Sequence, residues 1–183
     1  MTRKERILAT LNRQPTDRAP VDLWHTPEIG AALRQHFNVT DDLDVYRALG
    51  LDKIAWVSFY EIYCQMRGME QAMMDLALEP EYVDAVLNPI QHVCPGMDMA
   101  ELKKAFGDRV IFHGGVDNQS VLPFGTPEIV RTETRDCLAT LGAGGQGYIC
   151  CSCHNVQAGT PLENIFAMVE TVQNGSESLA LRR

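Results

Sequence analysis

The spacing of apolar positions alternates between that of helices and that of strands. Ile7, Leu8 and Leu11 form a helical stripe behind Thr2-Arg3-Lys4-Glu5, which has the spacing of a capping box, so a helix is predicted to about Asn12. Ala19-Pro20-Val21-Asp22-Leu23-Trp24 reads as a short strand. Thr26-Pro27-Glu28 opens a second helix with proline at its first position, and Ile29, Leu33 and Phe37 continue it. A third helix runs from Asp41 to Leu49 and ends at Gly50, and Leu51 to Val57 reads as a strand. Tyr60 to Ala85 is helical, with breaks near Gly68 and Pro80.

The second half is more regular. Strands are predicted over Val86 to Gln91, Arg109 to Val116 and Gly147 to Cys153, each followed by a helix: Met99 to Phe106, Thr126 to Leu141, and Pro161 to Gln173 behind the capping box Thr160-Pro161-Leu162-Glu163. Strand and helix alternating three times demand right-handed crossovers and a parallel sheet. The strand ends carry polar or ligand-type residues: Asn88 and Gln91, then His113 and Asp117, then Cys153 and His154. Barrel enzymes keep their chemistry at that end, so an α/β fold of the TIM-type (β/α)8 barrel family is expected, with His113 and His154 at one end of the sheet. A full barrel takes about 250 residues. With 183, the chain is expected to form an incomplete barrel, a domain over residues 1–173 followed by a polar tail over 174–183.

Composition narrows the function classes. Sixteen Lys and Arg against twenty-four Asp and Glu give a net charge of −8, with no basic run to neutralise a phosphate backbone, so nucleic acid is not an expected partner. No apolar run reaches the ~18 residues of a membrane helix, and the start lacks a signal-peptide core, so a cytoplasmic location away from membranes is expected. Six cysteines, three of them within four positions, are then core filling or chemistry rather than disulfides. Gly142-Ala143-Gly144-Gly145-Gln146-Gly147 precedes a strand, which makes it a helix stop rather than a phosphate loop.

Several motifs taken together carry a family resemblance. They are Leu87-Asn88-Pro89-Ile90-Gln91, Gly96-Met97-Asp98, Phe106-Gly107-Asp108, Phe112-His113-Gly114-Gly115-Val116-Asp117, Gly125-Thr126-Pro127-Glu128, Cys153-His154-Asn155 and Pro161-Leu162-Glu163-Asn164. In this order the stretch from Asn88 to Glu170 resembles the uroporphyrinogen decarboxylase superfamily, which includes zinc-dependent methyltransferases acting on corrinoid proteins. The resemblance implies a barrel enzyme for a tetrapyrrole, either a porphyrinogen decarboxylase working without a cofactor or a corrinoid methyltransferase using zinc. It also implies that segments are missing near residues 57–60 and 85–86, the second where the methyltransferases keep a His-x-Cys ligand pair. The arginine pair with which decarboxylases grip substrate carboxylates has no counterpart in Trp24-His25-Thr26-Pro27-Glu28. An inactive remnant serving as a binding or dimerisation partner is the alternative. Open apolar faces at the two junctions would make the chain a homo-oligomer.

The site residues follow from the same motifs. His154 matches a histidine near the end of the last barrel strand and is the first catalytic candidate, since imidazole exchanges protons near neutral pH; the competing role is a loop residue bound to backbone carbonyls. Asp117, the second, either orients a neighbouring group or holds a turn with Asn118. His113 and Tyr63, the latter beside Cys64 four residues before Gly68, are the substrate-binding candidates. Cys153 lies one position from a zinc-binding cysteine of the methyltransferases, and the alternative for it is a small buried hydrophobe.

Overall fold

Thr2 caps the first helix as its spacing with Glu5 predicts: Thr2 Oγ1 accepts the Glu5 amide at 3.2 Å, and Glu5 Oε2 accepts the Thr2 amide at 2.8 Å. In the computed structural model, which describes residues 1–53 and 98–180, this helix is α1 (Arg3–Leu11). It is followed by α2 (Pro27–Phe37) and α3 (Asp42–Ala48), the second capped by Asp41, whose side chain accepts the Leu43 amide. The later residues form α4 (Met99–Phe106), β1 (Phe112–Val116), a single-turn α5 (Val121–Phe124), α6 (Pro127–Thr140), β2 (Tyr148–Ser152) and α7 (Leu162–Ala180). The helix predicted to end at Gln173 therefore continues to Ala180. At Gly175 it passes close to Leu138 of α6, where a Cβ would lie 3.4 Å from the leucine methyl, an ordinary packing distance.

β1 and β2 are parallel and in register from Phe112↔Tyr148 to Val116↔Ser152, the crossover between them passing through α5 and α6. Among the described residues this two-stranded pair is the whole sheet, and no barrel is formed by them. The strand predicted over Val86 to Gln91 and most of that over Leu51 to Val57 lie outside the described residues, as do both expected junctions. The strand predicted over Ala19 to Trp24 is reduced to two parallel bridges, Val21↔Cys150 and His25↔Val156. Between them, Asp22 Oδ1 accepts the Leu23 amide at 2.8 Å, a local bond that takes that N–H out of any ladder. Asp52 N donates to Val21 O at 2.8 Å, which lays residues 51–53 along the other side of this segment.

Helices cover the sheet. Phe112 and Val116 are buried with Val21, Leu23, Leu33, Leu51, Leu141, Ile165 and Met168, while α6 and α7 pack along each other. Gly114 and Gly115 take positive φ values of 114° and 107°; a Cβ on Gly115 would meet Leu141 at 3.1 Å and the Tyr148 hydroxyl at 3.3 Å. The Tyr148 hydroxyl instead donates to Gly114 O at 2.8 Å. Behind the sheet, Asp52 is completely buried and accepts Arg6 Nη1 at 2.5 Å, Arg18 Nη1 at 2.6 Å and the Val21 amide at 3.1 Å. Arg6 also grips Asp17, at 2.7 and 2.9 Å, which ties α1 to the chain entering the sheet.

Candidate functional site

Asp117 leaves the end of β1 buried, and its carboxylate holds the turn that starts α5. Oδ1 accepts the amides of Gln119 at 2.6 Å and Ser120 at 3.2 Å, and Oδ2 accepts the Ser120 hydroxyl at 2.5 Å. Of its two expected roles, holding the turn is the one these bonds display. Next to it, Asn118 Nδ2 donates to Asn155 O at 3.1 Å, and the Cys153 thiol donates to Asn118 Oδ1 at 3.0 Å. These bonds tie the loop after β1 to the loop after β2. Asn164, from α7, adds bonds to Leu122 O and Gly125 O at 2.9 and 2.8 Å.

His154 stands on this bound loop with its side chain exposed. Its carbonyl accepts the Ser152 hydroxyl at 2.6 Å, so the backbone is fixed while the imidazole faces solvent. Cys153 is buried beneath it. Among the described residues no group of three or more His, Cys, Asp or Glu is placed to hold a metal ion, so the zinc implied for Cys153 does not fit the donors found there.

His113 does not share this end. Opposite Ile149 in the register, it lies near the start of the strand pair, whereas His154 follows the other end. The expectation that the two histidines meet fails because His113 is the second residue of β1 rather than its last. His113 instead faces Asp22, with Nε2 3.5 Å from Asp22 Oδ2. Asp22 is wholly buried and also accepts the Trp24 indole N–H at 2.9 Å, while Lys53 Nζ lies 3.1 Å from its Oδ1. Burial works to raise the Asp22 carboxyl, but His113, Lys53 and the Trp24 indole together hold it below its ordinary value. The Lys53 ammonium is 4.7 Å from the centre of the Trp24 ring and 5.4 Å from that of Tyr46. Tyr63 lies outside the described residues. Asp22, Lys53 and Tyr46 escape a reading of the sequence alone; the available signal is a carboxylate between Val21 and Leu23 in an apolar strand.

The strand cysteines are core residues. Burial pushes the Cys150 thiol up to about 12 and drives those of Cys137 and Cys151 upward as well, so all three keep their protons at neutral pH. With native protein, iodoacetamide is expected to leave these three positions unlabelled, and full labelling should follow denaturation. Peptide mass spectrometry showing rapid native labelling at Cys150 or Cys151 would contradict their burial.

With this geometry in place, comparison with known proteins shows what the second half of the chain is similar to. The family model described as "Uroporphyrinogen decarboxylase (URO-D)" matches residues 91–175, which include α4, β1, β2 and most of α7. Residues 91–175 thus resemble the uroporphyrinogen decarboxylases. A uroporphyrinogen decarboxylase from Coxiella burnetii (strain RSA 493 / Nine Mile phase I) is 35% identical over 79 residues, covering 43% of this chain and 21% of the relative. One from Dechloromonas aromatica (strain RCB) is 34% identical over 80 residues, covering 44% of this chain and 22% of the relative. The chain thus covers about a fifth of the length of these relatives. No solved structure gives a significant match. No helix among the described residues is long and apolar enough to cross a membrane.

Proposed function

We propose that the protein is a decarboxylase-like lyase that removes CO2 from a carboxylate arm of a tetrapyrrole. The observation that carries this reading is the exposed His154 imidazole on a hydrogen-bonded backbone at the end of β2, inside the stretch that matches the family. When the bond to the carboxyl carbon breaks, CO2 departs and its bonding electron pair stays on the substrate carbon. That carbon then takes one proton, which His154 supplies. No electron leaves the substrate, so the reaction requires no redox cofactor. Asp117 acts as a positioning residue by holding the loop to which Asn118 and Asn155 are bound. His113 and Tyr63 are assigned to substrate binding. The test is anaerobic incubation of the purified protein with uroporphyrinogen, with CO2 and the less carboxylated products measured. Release that scales with protein concentration is expected, and its absence at high protein concentration would overturn the reading.

The same reading includes self-association. Phe124 is 84% exposed and Ile129 50%, both beside the loop after β1, and apolar exposure of this kind is typical of interfaces. Sedimentation is expected to show a species larger than a monomer, and Phe124→Ser should shift it toward the monomer. A concentration-independent monomer for the unmodified chain would reject this.

A further inference from the structure

Asp22 has more donors than neutralisation requires. Its single negative charge faces the Lys53 ammonium and the His113 imidazole, and it also accepts the Leu23 amide and the Trp24 indole N–H. The carboxylate is completely buried, while the side chains of Lys53 and His113 are 25% and 21% exposed. The His113 Nε2 that faces the acid is itself buried, so an anion arriving from solvent meets the Lys53 side chain and not Asp22. Lys53 spends one N–H on Leu23 O at 2.9 Å and points another at Asp22; its third has no partner among the described residues. The Trp24 and Tyr46 rings flank the ammonium and restrict where it can go. Tyr46 is itself fixed, because its hydroxyl lies 3.1 Å from His25 Nε2 while His25 Nδ1 lies 3.0 Å from Thr26 O.

We propose that Lys53 is a carboxylate-binding subsite whose geometry is set by the buried Asp22, which His113 holds from its other side. A lysine that served only to neutralise Asp22 would have no need of a partly exposed side chain with a spare donor, nor of a histidine on the same acid. A carboxylate takes its place on Lys53 without displacing Asp22, because it uses the third N–H. An ammonium already held in position loses little side-chain freedom on binding. From Ile149, the rung opposite His113, to Ser152 at the end of β2 is roughly 10 Å of strand at ~3.3 Å per residue, and His154 follows that end, so the subsite suits a carboxylate other than the one at His154. The subsite rests on the decarboxylase reading only for the identity of the natural ligand.

The test uses uroporphyrin, a tetrapyrrole bearing carboxylate arms, as a binding probe that requires no turnover. Affinity is measured by quenching of Trp24 fluorescence in a Trp56→Phe background, which leaves one tryptophan in the chain. Loss of one charged hydrogen bond predicts binding weaker by about tenfold or more in Lys53→Met, with most of the affinity restored in Lys53→Arg. Saturating probe is also expected to slow acetylation of Lys53 in the unmodified protein, a readout that decides the matter even if Lys53→Met fails to fold. No binding by the unmodified chain, unchanged affinity in a folded Lys53→Met, or unprotected Lys53 would each overturn the subsite. Turnover of uroporphyrinogen is scored separately. Lys53-dependent binding without CO2 release supports the subsite and removes the lyase reading, whereas CO2 release with Lys53-independent binding does the reverse.

Discussion

Replacing Asp52 with asparagine is expected to destabilise the protein by about 3–5 kcal/mol, the range found when one partner of a buried ion pair is removed. The Asp52 side chain is inaccessible, and those of its partners Arg6 and Arg18 are 7% and 14% exposed. The two arginines do not lose equally. Arg6 keeps both bonds to Asp17, whereas Arg18 keeps only the carbonyl of Ala19 as an acceptor among the described residues. Asparagine still offers an oxygen to the Val21 amide, so the cost falls on the uncompensated charge of Arg18. Adding Arg18→Met to Asp52→Asn should accordingly recover part of the loss, and the two changes should be non-additive. Urea unfolding of the four proteins of this cycle measures both effects. A loss under about 1 kcal/mol for Asp52→Asn would mean that water reaches this network and screens it.

The second large effect is on chemistry. If His154 supplies the proton, His154→Ala is expected to lower CO2 release from uroporphyrinogen by about 10²- to 10⁴-fold, the usual contribution of a positioned general acid. The melting midpoint should scarcely move, because the ring is exposed and the bond that fixes this position runs to the His154 carbonyl, which alanine retains. This separation of activity from stability distinguishes a proton donor from a loop residue. Turnover within about threefold of the unmodified chain would remove His154 from the mechanism, whatever the family match.

The helices were the most legible part of the sequence, because their ends are encoded locally. Thr2 with Glu5, Pro27 after Thr26, and Thr126 with Pro127 each mark a start that the structure places within a residue or two. The two parallel strands were legible for a related reason, an apolar run bounded by turn residues. The single turn of α5 was not, since four residues containing Pro123 carry no period, and the carboxylate that starts it, Asp117, is buried by its own turn. At the candidate site, motif matching located His154 and Asp117 in their strand-end loops. It also singled out His113, but not the company His113 keeps. Asp22 lies between two apolar residues, where strand alternation would turn it toward water. Its burial depends on Lys53 and His113, which lie 31 and 91 positions further along the chain, and no local pattern reports that.

Several of the bonds that hold the first fifty-three residues in place reach far along the chain. Arg13 binds the carbonyls of Gly107 and Val110, the Val21 bridge waits for Cys150, and Gln173 closes on Leu49 O across 124 positions. During synthesis, then, the N-terminal helices leave the ribosome long before the surfaces that bury Leu23, Leu33 and Val45 have been made. Native order in this part of the chain comes late, after β2 and α7 exist, and until then its apolar faces are open to chaperones and to other nascent chains.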